Sequence, residues 1–397
     1  MSSEVAELAR AVDGLLVGWR NVRFGDVSRS FAGGTPSRSN PAFYGPGIPW
    51  LKSGEVRAGR ISAVEEEITE AGLRESSARV AKAGSPVIAM YGATAGVAGI
   101  LEIDAALNQA VLAIEPVATR LDSEFCFYLL SSEAPRLLTM TQGSGQPNLS
   151  KGLIDGLNVA LPPLDEQRRI AEVLRSVDEA IAANSATLAA TRQIVEKLAR
   201  DVADGGSDTA TISEFGRVVT GGTPSPKQAD LWGGDLPFVT PGDLNEDEVS
   251  VRDAARTLNV DAPHGARVLP AGSVLVTCIG STVGKTAIAR SSCATNQQIN
   301  SICCDPALSG YLYLACVAAY DEIMANAGKQ AVPIINKSTF SAITVPTRSR
   351  IEMVAVSEMV DALDNEGKAA RSALTALNAI KSAFMGDLLS GHVRVPA

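Results

Sequence analysis

Gly33-Gly34-Thr35-Pro36-Ser37 recurs letter for letter as Gly221-Gly222-Thr223-Pro224-Ser225, 188 residues further on. The register holds beyond the pentapeptide. At the same offset Pro49 faces Pro237, Gly54 faces Gly242, and Ala83-Gly84-Ser85 faces Ala271-Gly272-Ser273. Gly92, Thr94 and Gly96 face Gly280, Thr282 and Gly284, and Asn108-Gln109 faces Asn296-Gln297. A chance match does not keep step from Gly33 to Gln109, and an internal repeat has to be recognised before anything else is inferred. The chain is two copies of one module, and any function must use both.

Two glycines followed by Thr-Pro do not continue a helix, and the residue before a proline is pushed to extended geometry. The next segment is rich in Pro, Gly, Asn and Ser, but Phe43, Tyr44 and Trp50 punctuate it, so it reads as an ordered loop. Leu231, Trp232 and Phe238 stand at those three positions in the second copy. The apolar runs 86–90 and 273–277 read as buried strands. Each enters a glycine-rich turn, 91–96 and 279–284, and another apolar strand covers 110–114. Helical patterns follow at 124–138 and 310–327, and a short opening helix is expected over 4–17. Each module therefore begins strand-rich and ends helical, an α+β arrangement. Polar loops close the modules at 142–151 and 328–337. There Pro147 faces Pro333 and Lys151 faces Lys337 at an offset of 186, a two-residue deletion in a surface loop.

After Pro162-Pro163, acids in the first turn open a helix that runs without Gly or Pro to about Val202. Leu174, Ile181, Leu188, Val195 and Val202 recur every seven residues, interleaved with Ile170, Val177, Asn184, Thr191 and Leu198, the pattern of a coiled-coil seam. Such a helix would be on the order of 55 Å long. Asn184 either fixes register or marks a wetter end. The second copy offers Val356, Leu363, Ala370, Leu377 and Phe384 with Val360, Leu374 and Leu388, interrupted at Gly367 and Lys381. Two such helices are expected to pair as an antiparallel coiled coil, relating the two tandem α+β modules by pseudo-twofold symmetry. The boundaries read as domains over 1–160 and 205–346, a central spacer helix over 161–204, and a C-terminal helix and tail over 347–397.

Composition narrows the chemistry. The chain has 397 residues, 46% hydrophobic and 20% charged, as ordinary globular proteins have. No apolar run approaches the roughly 18 residues of a membrane span, and the start lacks a signal-peptide pattern, so a cytoplasmic protein is expected. Six cysteines with no CxxC pair read as reduced core residues. Two histidines, His264 and His392, leave little for a metal site or a histidine-based triad. The net charge of −9 opposes phosphate binding on average, although a local basic face remains compatible with it. Gly280-Ser281-Thr282-Val283-Gly284-Lys285-Thr286 resembles a P-loop but has three residues between its glycines, not four, and the first copy carries Val97 in place of Lys285. It reads as a structural turn, and no other catalytic motif is present. What remains is polar loops: Ser37, Arg38, Lys52, Ser53, Tyr91, Thr94, Gln109, Gln142, Ser144, Gln146, Asn148 and Lys151 in the first copy. The second offers Lys227, Thr240, Thr282, Lys285, Gln297, Gln298, Lys329, Gln330 and Lys337. These types suit base-edge and phosphate contacts, while any one of them could equally be a solvated turn residue.

The Gly-Gly-Thr-Pro-Ser repeats, Ile48-Pro49-Trp50 against Leu236-Pro237-Phe238, the glycine turns, the Asn-Gln pairs and Leu161-Pro162-Pro163-Leu164-Asp165-Glu166-Gln167-Arg168-Arg169 together form a known pattern. The sequence resembles the specificity subunit of type I restriction–modification systems over nearly its whole length. That resemblance implies two target-recognition domains, each reading one half of a split site in double-stranded DNA. It implies helices that set the gap and dock two methyltransferase (modification) subunits, joined by restriction subunits. It also implies no catalysis and no cofactor in this chain: S-adenosylmethionine, ATP and Mg would serve the partner subunits. The second half departs from the pattern, with Val345-Pro346-Thr347-Arg348-Ser349-Arg350-Ile351-Glu352 at the head of its helix, which puts the second docking site in question. An interaction scaffold without DNA binding is the competing reading.

Overall fold

The computed structural model describes residues 18–141, 148–205, 208–225, 227–245, 247–259, 265–328 and 332–395. The opening helix expected over 4–17, and Gln142, Ser144, Gln146, Lys329 and Gln330, lie outside the described residues. The chain divides into two compact units, Met1–Ile181 with Ala376–Ala397, and Ala182–Thr375.

In the first unit a five-stranded sheet runs in the order Ser28–Ala32, Val111–Pro116, Pro86–Ala89, Ala98–Leu101, Arg60–Ile61. A four-stranded sheet runs Glu67–Ile68, Tyr44–Leu51, Ala105–Leu107, Arg79–Ala81, and Arg20–Arg23 pairs with Asn158–Leu161. The second unit repeats this. Its five strands are Gly216–Thr220, Ile299–Cys304, Val274–Thr277, Thr286–Ala289 and Ser250–Val251. Its four are Thr257–Leu258, Trp232–Val239, Cys293–Thr295 and Val268–Leu269, and Thr209–Thr211 pairs with Thr344–Pro346. The central strands are continuously apolar because both faces of the five-stranded sheet are covered. Ile88, Met90, Leu112 and Ile114 pack with Phe125, Tyr128 and Leu129 of the helix Ser123–Thr139. Their neighbours Val87, Ala89, Val111 and Ala113 pack on the opposite side with Leu51, Ala105 and Leu107. Each fully buried side chain of this kind contributes roughly 1.5–3 kcal/mol. In the second unit Val274 and Val276 face Tyr311 and Leu314, and Leu275 faces Val239 and Leu269.

The two-residue slip lies between the last strand of the five-stranded sheet and the following helix, where 117–122 in the first unit is matched by 305–308 in the second. The helical stretch expected over 310–327 is two helices, Ser309–Ala318 and Tyr320–Asn326, separated at Ala319.

The long helices cover Leu164–Asp204 and Arg350–Ser390, 41 residues each. Within the first unit Ile170, Leu174 and Val177 are buried, and the first two pack with Leu388 and Leu389. Asp178 meets Lys381 at 2.6 Å. Within the second unit Thr191 and Leu188 lie against Gly367, and Val195 and Leu198 pack in one cluster with Val356 and Val360. Ascending numbers on one helix meet descending numbers on the other in each unit, so the pair is antiparallel. Gly367 and Lys381 do not break the seam. A Cβ on Gly367 would meet only ordinary contacts, 3.7 Å from Thr191 Oγ1 and 3.9 Å from Leu188 Cδ2, and Lys381 is neutralised across the seam by Asp178. Ile181, Leu188, Asn184, Leu363, Leu374 and Leu377 are half-buried. Phe384, expected on the seam, is 38% exposed. It borders a shallow hollow with Val173, Leu388 and Val393 instead, because Met385 and Leu388 take the inward positions. No helix among the described residues is long and apolar enough to cross a membrane.

Candidate nucleic-acid interface

The repeated pentapeptide closes on the strand that leads to Asn108-Gln109. The Gly34 amide donates to Leu107 O at 2.9 Å, and the Gly222 amide to Thr295 O at 2.8 Å. A Cβ on Gly33 would stand 1.9 Å from Leu107 O, and one on Gly221 would stand 2.1 Å from Asn296 O, so these positions require glycine for close approach. Thr35 then donates its hydroxyl to Gln109 Oε1, and Thr223 donates to Gln297 Oε1 at 2.7 Å. The two motifs that marked the repeat are thus hydrogen-bonded to one another in both units. Aromatic donors fasten the loop from its other side. Trp50 Nε1 donates to Gly34 O at 3.1 Å, Tyr44 OH donates to Pro36 O at 2.5 Å, and Trp232 Nε1 donates to Ser225 O at 3.3 Å.

These contacts gather loops at one end of the five-stranded sheet. The Met90 amide donates to Ala110 O at 2.8 Å, the Leu149 amide to Met90 O at 2.9 Å, and the Asn108 amide to Leu51 O at 3.0 Å. Tyr91 and Asn148 form a β-bridge, matched by Ile279 and Ile334. Lys52, Tyr91, Gln109 and Asn148 are brought to one rim, with Ser37 and Ser53 on its loops. In the second unit Thr240, Gln297 and Gln298 stand on the corresponding rim, and exposed Lys227 follows its pentapeptide.

Several candidates turn out to serve the fold. Thr94 is buried, its hydroxyl 3.5 Å from Tyr91 O inside the turn. Lys151 is held by Asp155 and by Ser30 at 2.8 Å. Thr240 caps the turn after its strand through Asp243 at 2.7 Å, and Gln298 accepts from Asn296 at 2.9 Å. Lys337 is exposed at the start of the helix Lys337–Ala342. Thr282 and Lys285 lie on the turn between the strands Val274–Thr277 and Thr286–Ala289. No helix N-terminus follows that turn to cradle a phosphate, so the P-loop reading fails on geometry. The turn lines a cleft of about 400 Å³ in the second unit with Arg192, Asp247, Glu248 and Arg371. Burial pushes the thiols of Cys278, Cys293 and Cys304 up to about 12, which leaves them inert as nucleophiles.

Four charged groups carry no local signal in the sequence. Glu66 holds both Nη atoms of Arg38, at 2.5 and 3.0 Å, and lies 3.5 Å from Lys52. The Arg38 hydrogen bond holds the Glu66 carboxyl below its ordinary value. Arg256 sits over the Trp232 ring at 3.5 Å. Asp178 and Asp364 occupy equivalent positions of the two long helices. Asp178 accepts from Tyr128 OH at 2.8 Å, and Asp364 from Ser250 Oγ and Arg290 Nε at 2.7 and 3.0 Å. The Leu-Pro-Pro-Leu-Asp-Glu-Gln stretch is also structural. Gln167, 1% exposed, accepts from the Asp122 amide and donates to Arg120 O and Pro162 O, while Glu166 accepts from Nε and Nη2 of Arg394 at 2.6 and 2.7 Å. In the second unit Ser349 and Glu352 cap the helix instead.

Residues 17–191 and 205–368 each match the family model described as the type I restriction modification DNA specificity domain. The chain belongs to that family. Among curated relatives of this specificity-domain chain, the type I restriction enzyme MjaIX specificity subunit of Methanocaldococcus jannaschii is 30% identical over 40% of this chain and 38% of its own length. The HindI specificity subunit of Haemophilus influenzae is 28% identical over 47% of this chain and 42% of its own length. Each alignment thus spans about two fifths of the relative's length. Among solved structures, the type I restriction–modification S subunit from M. genitalium aligns with a TM-score of 0.69 at 13% identity, covering 94% of this chain and 96% of that one. A chain from work on complex assembly and conformational transition of the type I R-M system aligns with a TM-score of 0.51 at 18% identity, covering 95% of this chain and 98% of its own. The two-module α+β fold with paired helices is the fold these structures share.

Proposed function

We propose that this chain is the non-catalytic DNA-recognition subunit of a type I restriction–modification complex. Each module, over 1–160 and 205–346, reads one half of a bipartite duplex, and the helices over 161–204 and 347–397 set the spacing. The observation that carries this reading is the duplicated rim, where the same polar loops are fastened in the same way at the same end of the same sheet in both units. Exposed Ile194, Ile351, Met359 and Ile380 on the long helices supply apolar surface for two methyltransferase subunits. Restriction subunits join through that complex, and S-adenosylmethionine, ATP and Mg act on the partners. The carboxylates that neutralise Arg38, Lys52 and Lys151 favour the competing reading, an interaction scaffold without DNA binding. The test is retention of a split duplex by the chain with its methyltransferase subunits across a salt series. Affinity falling steeply with salt is expected, and salt-independent or absent retention would leave the scaffold reading standing.

A further inference from the structure

Arg38 leaves the first pentapeptide loop and lies over two rings, 4.2 Å from the Tyr44 centroid and 5.3 Å from that of Trp50. Those rings are themselves locked, edge to face at 6.0 Å, with their polar tips bonded to the loop. Glu66 grips the end of the guanidinium, one oxygen on each Nη atom. The side chain of Arg38 is nevertheless 57% exposed, against 26% for Glu66. A guanidinium carries five N–H donors in a rigid plane. An end-on grip consumes one donor on each Nη and leaves the side edge, Nε–H with its neighbouring Nη–H, as a second parallel pair. That pair matches O6 and N7 of guanine in the major groove. A phosphate contact needs only charge, and Glu66 cancels charge here while it fixes direction. The second unit makes the contrast. Arg256 lies over Trp232, the counterpart of Tyr44, and among the described residues it has no carboxylate partner.

We propose that Arg38 reads a guanine in the half-site bound by the first module, with Glu66 as its positioning residue. This rests on the DNA-recognition reading above and names one of its contacts. The experiment is selection from duplexes with two randomised halves, using the full chain assembled with its methyltransferase subunits. The wild type should return a two-part motif with a guanine that Arg38→Ala makes degenerate, at a loss of about 5- to 150-fold against the best site. Arg38→Lys keeps the charge and should lose the same preference with an unchanged salt slope. Glu66→Gln should weaken that preference and lower the melting temperature by no more than about 4 °C. In all three variants the other half of the motif should stay intact, which also reports that the protein has folded. Arg256→Ala should leave the Arg38-dependent half unchanged. If Arg38→Ala and Arg38→Lys lower affinity equally for all sequences and leave the motif as it was, Arg38 is a phosphate contact and the proposal is overturned. If the wild type returns no motif, the DNA-recognition reading fails, and this proposal with it.

Discussion

Changing Asp364 to Ala should loosen the second unit more than any other single surface-distant carboxylate change. Asp364 stands on the inward face of the second long helix with its side chain 3% exposed. It receives Ser250 Oγ at 2.8 and 2.7 Å and Arg290 Nε at 3.0 Å, from two adjacent strand ends. Removing one partner of a buried ion pair costs about 3–5 kcal/mol because the other charge is left uncompensated. Arg290 keeps Asp361 at 2.6 Å, but Asp361 is 45% exposed, so the lower end of that range applies, about 3 kcal/mol. For a unit of this size that is a fall of roughly 6–12 °C in melting temperature. Of the three tryptophans, Trp232 alone lies within Ala182–Thr375. Urea unfolding followed by fluorescence, in a background with Trp19 and Trp50 changed to Phe, therefore reports this unit. Asp364→Leu with Arg290→Met should recover most of the loss, since an apolar pair replaces the ionic one without a stranded charge. A cost below about 1 kcal/mol for Asp364→Ala, or costs for the two sites that simply add, would refute the reasoning.

Gly33→Ala should cost about 3 kcal/mol, because its Cβ meets the backbone at Leu107, whereas Gly54→Ala, with nothing within 4 Å, should stay within about 0.5 kcal/mol in chemical denaturation. Leu174→Ala, fully buried, should lose about 3–5 kcal/mol, and Phe384→Ala under about 1 kcal/mol; equal losses would contradict the seam described here. Arg38 holds Glu66, Arg350 holds Asp305 and Ser349 holds Glu352 below their ordinary values. The unfolded chain binds protons on these groups more readily, so their contribution is present above about pH 4.5 and fades as pH falls through the lower folded values. Melting temperature should hold from pH 7 to about 5 and drop below that, and a rise on acidification would count against these pairings.

The repeat was legible because backbone constraints leave marks in the alphabet. Gly33, Gly34 and their copies are irreplaceable where chain segments touch, and the apolar runs 86–90 and 273–277 are covered on both faces. The long helices were legible from a seven-residue period, though the period overran at Phe384, where neighbouring residues turn inward. The site was less legible for a physical reason. Arg38 and Arg256 put a guanidinium over equivalent rings from positions that do not align, one on the pentapeptide loop and one beside a strand of the four-stranded sheet. Glu66, Asp178 and Asp364 act through partners tens of residues away, which no local pattern encodes. Thr94 and Lys151 look like binding residues by type and are consumed by the turns that hold them.

The first unit is built from two separated stretches, Met1–Ile181 and Ala376–Ala397, while the second is one continuous stretch. On the ribosome this dictates an order of events. Ile170 and Leu174 emerge long before Leu388 and Leu389, which pack in the same core cluster. At about 5–20 residues per second the delay is on the order of 10–40 s. During that interval the continuous unit is itself being translated, and once Thr375 has emerged it has all its residues and can fold while the apolar stripe still lacks Leu388 and Leu389. Residues beyond Thr375 thus complete the first unit, and a chain interrupted before Ala376 would carry an open seam, a surface suited to capture by chaperones or by another nascent copy.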